Sequence, residues 1–158
     1  MAIRIVNAME LIKDSVDAAW IQEVKEKLFC PDFELLRPQK MHIHNIPTWI
    51  NSAIGVMGFF FREQEWIDEA VKQPFNLFEQ LDKGVTDSGF WYEGSIHYNF
   101  FALEGVMNFF VFASAYDYEI PQRSGEIVYR MFEAAYRYAF DNDIFPNPSD
   151  GWPNISLK

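Results

Sequence analysis

Apolar residues recur at i, i+3 and i+4 through almost the whole chain, and no stretch alternates with period two for long enough to make a strand. That periodicity restricts the chain to packed helices, because only a helix gathers such positions on one face. Ile3, Val6, Leu11 and Ile12 mark a first helix running to about Lys13. Ala19, Trp20, Val24, Leu28 and Phe29 mark a second from Val16 to about Phe29, which Pro31 is expected to terminate or interrupt, and Arg37-Pro38 closes the hairpin. A third helix is expected over Thr48 to Phe61, entered through Pro47. Its small residues Asn51, Ser52, Ala53, Gly55 and Gly58 offer a face that another backbone can approach closely. Shorter helices follow over Glu63 to Val71 and Phe75 to Leu81. Ser95 is placed to cap a long helix to about Ala115, with a stripe of Phe100, Leu103, Met107, Phe110, Val111 and Ser114. Pro121 opens a last helix to about Phe140, and residues 141–158 read as a turn-rich loop tail. The expected fold is one all-α domain of antiparallel helical hairpins.

Composition narrows what such a domain can do. A chain of 158 residues is long enough for one core, and with 16 Phe and an aromatic share of 18% that core, or a cleft in it, must be lined by rings. The formal charge of -10 and the 13 Lys and Arg residues exclude nucleic acid and anionic membrane surfaces as partners, since phosphate binding needs a basic stripe. Cys30 stands alone, so no intrachain disulfide forms. No apolar run approaches the roughly 20 residues of a membrane span, and "MAIRIVNAMELIKDS" lacks the h-region of a signal peptide. No cofactor is expected.

Three residue sets carry possible chemistry. His42 and His44 alternate in an HxH pattern that would bind a metal if two more ligands converged, but no Cys, further His or HExxH supports a metal, and none is expected. Asp87, Glu93 and Asp150 are acids near aromatics, and two carboxylates are what a glycoside hydrolase needs. The third set joins "HNIPTWINSAIG" to "DSGFWYEGSIHYNF". Asn45, Thr48 and Trp49 fit an N-[HW]-x-T-W loop. Gly89, Phe90, Trp91, Tyr92, Glu93, Gly94, Ser95, Tyr98, Phe100, Ala102 and Leu103 fit DGFWYEGSxxYHFYAL about two hairpins later. With these residues the chain resembles the heparinase II/III-like and alginate-lyase superfamily of polysaccharide lyases.

The resemblance implies an incomplete (α/α) toroid, since the family normally has further helices ahead and a β-sandwich behind. It also implies a uronic-acid polysaccharide as partner, a periplasmic or secreted setting, and self-association through the exposed toroid edge. The implied reaction is β-elimination: a base takes the proton α to a uronate carboxylate while hydrogen-bond donors neutralise that carboxylate. Tyr98 matches the family's general base and acid, and Asn45, with His44 beside it, matches the neutraliser. Trp49, Trp91, Tyr92, Glu93 and His97 would line the substrate cleft, with Glu93 bracing the loop. The chain departs from the family at Ile46, where His or Trp is usual, and at Asn99, where His is usual. Arg62, Arg123 and Arg130 are the cations that would offset the negative charge for a polyuronate. Two other readings remain: a catalytically silent helical module gripping a glycan or partner, and a hydrolase using Asp87 or Glu93.

Overall fold

The computed structural model describes residues 1–146, 149, 151, 152 and 156. Among them regular structure is helical: α1 Ala2–Ile12, α2 Ala18–Val24, α3 Cys30–Leu36, α4 Asn45–Phe61, α5 Gln64–Val71, α6 Leu77–Gly84, α7 Ile96–Ala115 and α8 Gln122–Tyr138. No helix of the described residues is long and apolar enough to cross a membrane.

Two long helices form the frame. Up α4 and α7 the contacts advance together: the Trp49 indole donates to the Phe101 carbonyl and lies 3.3 Å from where a Cβ on Gly105 would be, Gly55 abuts the Phe109 ring, and Phe59 lies 6.1 Å from Tyr116. The helices are therefore parallel. α1 runs the same way, with Arg4 and Asn7 beside Ile46 and Trp49 at one end and Glu10 bonded to the Tyr116 hydroxyl at the other. The shorter helices are the returns. Gly58 faces Ile67 and Gly55 faces Ala70, so α5 is antiparallel to α4. Between them Arg62 takes a left-handed φ of 54°, and the Glu63 N–H bonds the Gly58 carbonyl at 2.9 Å, closing the helix end in the Schellman manner.

The small residues of α4 set these approaches. A Cβ on Gly58 would lie 2.8 Å from the Ile67 backbone nitrogen, so α5 can pass this closely only over glycine. Ile54, Met57, Leu77, Leu81, Val106, Phe109 and Met131 form the sealed centre of the core.

Pro31 does not end its helix. Lys25–Phe29 forms a π turn, in which the Cys30 N–H reaches back to the Lys25 carbonyl, and α3 continues from it. The wider turn relieves the clash a proline ring makes with the carbonyl four residues earlier, so the helix continues through Pro31. The buried face of α7 also differs from the expected stripe. It comprises Asn99, Ala102, Leu103, Val106, Phe109, Phe112 and Ala113, while Val111 is exposed. α7 is apolar nearly all round, and Gly105, against which the Trp49 ring packs, marks the side that α4 approaches. Leu11 and Trp20 likewise face solvent, and Met9 takes the inward position on α1.

Candidate functional site

α4 begins at Asn45, three residues earlier than the sequence pattern indicates, because His44 caps it: the Ile46 N–H donates to His44 Nδ1 at 3.3 Å. The loop before it is clamped from α6. Gln80, wholly buried, donates to the His42 carbonyl at 2.9 Å and accepts the His44 N–H at 2.9 Å.

The second motif arrives on a tight reversal. Thr86 N–H bonds the Phe90 carbonyl and Tyr92 N–H bonds the Gly84 carbonyl, both at 2.8 Å, turning the chain back beside α6. Gly89 sits at the bend with φ +86°, where a Cβ would also strike the Arg130 carbonyl at 2.6 Å. Asn99, on the second turn of α7, accepts the Trp91 N–H at 2.9 Å; its buried Nδ2 has no acceptor among the described residues. Ser95 caps α7 by accepting from the His97 N–H at 3.1 Å.

The loops meet at Glu93. Its carboxylate accepts Asn45 Nδ2 at 2.9 and 2.8 Å, the Asn45 backbone N–H at 3.1 Å and the Trp91 indole N–H, and His44 Nε2 lies 3.2 Å away. His44 Nδ1 accepts from the cap N–H, which leaves Nε2 as the ring nitrogen turned towards Glu93. A carboxylate is well placed here, because the first turn of α4 presents the positive end of the helix dipole. Glu93 thus meets Asn45 across 48 positions of sequence.

No family model matches the chain. Two curated proteins are similar to it: an alginate lyase of Stenotrophomonas maltophilia (strain K279a), 29% identical over 130 residues, and an exo-oligoalginate lyase of Saccharophagus degradans (strain 2-40), 30% identical over 129 residues. In sequence, this chain is alginate-lyase-like. Each alignment takes in 75% of the chain, which spans 17% of the relative's length.

In this alginate-lyase-like chain the remaining expected residues distribute as follows. Tyr98 is half-buried in the first turn of α7, its ring 5.6 Å from His97. His97 stacks towards Phe101 at 6.4 Å, and Phe101 meets Trp49 at 5.1 Å. Trp49 borders a cleft of about 840 Å³ with Ile46, Arg4, Glu104 and Asn108. Trp91 is 1% exposed, so its ring is core, packed over Gly84, and only its indole N–H reaches the site through Glu93. Tyr92 is exposed and donates to the Ile43 carbonyl at 2.7 Å; burial of its phenol, then the Glu93 charge, pushes its pKa up.

The other sets do not converge here. Asp87 lines a separate cleft of about 780 Å³ with Arg123, Glu126 and Arg130, and Asp150 lies outside the described residues. Arg62 stands at the opposite end of α4, about 25 Å along the axis from Asn45, over the Tyr116 ring, and Arg123 pairs with Asp82. Neither is placed to serve Asn45. His42 and His44 pack edge to face at 5.3 Å, and among the described residues no group of three or more His, Cys, Asp or Glu side chains could hold a metal. Of the two residues that position the loops, Gln80 escaped the sequence reading and Asn99 entered it only as a departure from the family. The available signal was weak: a polar residue on the inward face of each helix.

Proposed function

We propose that this chain is the site-bearing helical segment of a polysaccharide lyase, part of an incomplete (α/α) toroid, that cleaves uronate-containing glycans of the alginate type by β-elimination. The observation that carries the reading is the Glu93 junction, which places the Asn45 loop against the loop leading into Tyr98. The similarity to two alginate lyases supports the substrate class.

In this reading Tyr98, as phenolate, takes the proton from C5 of the uronate, the electron pair forms the C4–C5 double bond, and the C4–O bond breaks. The phenol then returns its proton to the departing glycosidic oxygen. The charge that develops on the uronate carboxylate has to be met by N–H donors. Asn45 Nδ2 and His44 Nε2 face Glu93 in the free chain. A bound uronate therefore shares these donors with Glu93, and it lies close to the first turn of α7, which holds no acidic residue.

The test is ultraviolet detection of the unsaturated product from oligoalginate. Tyr98→Phe is expected to lower turnover at least about 100-fold with little change in KM. Unchanged turnover in the variant would overturn the role of Tyr98. Cleavage without a chromophore would indicate a hydrolase, and retention of the oligosaccharide without cleavage a binding module.

A further inference from the structure

Every return helix delivers its following loop to the same end of the parallel set. One such loop precedes α4 and carries His44; a second precedes α7 and carries Glu93. The segment after α8 is the third. α8 runs antiparallel to α7, with Ala135 packed in one cluster with Ile96 and Tyr138 lying 4.6 Å from Phe90, so the chain leaves α8 beside the first turn of α7. Phe145, 4% exposed, anchors the segment 5.5 Å from Phe100. Beyond that anchor Trp152 comes within 6.4 Å of His97, the ring adjoining Tyr98, and 69% of Trp152 faces solvent.

Exposure alone would mean little, since Tyr129 and Tyr136 on α8 are as open. Position distinguishes Trp152. It begins a run of rings through His97 and Phe101 to Trp49 that crosses the site and ends at the cleft holding Arg4 and Asn108. Because Phe145 already anchors the segment, the indole is not required for packing.

We propose that Trp152 is an outer sugar-binding platform, whose free face takes the apolar C–H face of one pyranose of a uronate oligosaccharide and holds the polymer beyond Tyr98. Flat aromatic surface against an apolar face, with polar groups around it, is the usual composition of a ligand site. This rests on the lyase reading.

Calorimetric titration of the chain with an oligomannuronate tetramer tests it. Trp152→Ala and Trp152→Gln are expected to weaken binding roughly tenfold, the loss of one good aromatic contact. Trp152→Phe should bind nearly as the unaltered chain does, and Trp20→Ala, exposed on α2, should bind unchanged. Full affinity in both non-aromatic variants would overturn the platform and leave the lyase reading standing. Failure of the unaltered chain to bind the tetramer would overturn both.

Discussion

At the scale of single residues the site depends on one acceptor. Glu93 gathers donors from the start of one helix and from two loops, so Glu93→Ala strands Asn45 Nδ2, the Asn45 N–H and the Trp91 indole N–H away from water. A loss of about 3 kcal/mol in urea unfolding is expected, with Glu93→Gln recovering roughly half. Tyr116 gives a second residue-level expectation. Burial first, and then its bond to Glu10, raise its pKa from 10.0 to about 12. The folded state holds this proton more tightly than the unfolded chain, so the contribution is intact below pH 10.0, falls as pH rises, and is lost by about 12. Tyr116→Phe should flatten that part of an alkaline stability profile. Asn45, Glu93 and Tyr98 were all nameable from motifs, but no motif states that an amide and a carboxylate 48 positions apart share hydrogen bonds. That contact belongs to the packing of α4 against α7. Trp152 was unreadable for a related reason, because its place follows from the direction of α8.

At the scale of elements, glycine separates close packing from mere permissiveness. Gly58→Ala puts a Cβ 2.8 Å from backbone that cannot move aside, and a loss of about 2 kcal/mol is expected. Gly125 lies within α8 with nothing inside 4 Å of a Cβ, so Gly125→Ala should raise stability by about 0.5–1 kcal/mol. Thermal denaturation of the pair checks both signs. These helices were largely legible: the small-residue face of α4 and the Ser95 cap lie where the spacing puts them, and of the α8 stripe Ile127, Val128, Met131, Ala135 and Tyr138 that the spacing marks, all but the exposed Tyr138 are buried. Pro31 goes with an interruption of the regular helix and not with its end, and the form of that interruption was unreadable because a π turn is a tertiary accommodation with no local signature. The face of α7 misled because apolar side chains nearly all round leave the choice to the neighbouring helix.

At the scale of the whole molecule, three helices run one way and the chain returns between them, so the pattern extends by repetition and the residues of the site collect at one end. The exposed rings Tyr129, Phe132 and Tyr136 on α8 fit the proposal of self-association through an open edge. The segment after α8 reads as irregular in sequence, and among its described residues the Phe140 N–H bonds the Ile144 carbonyl at 2.8 Å and Ile144 forms an isolated bridge with Ser156. Irregular is not the same as dispensable. Phe145 is a wedge driven between Phe100, Ile96 and Ala135, so cutting the chain after Phe140 should remove a keystone and lower stability by about 2–3 kcal/mol, read as a lower thermal midpoint. Whoever trims this protein by its helices alone will cut away part of its interior.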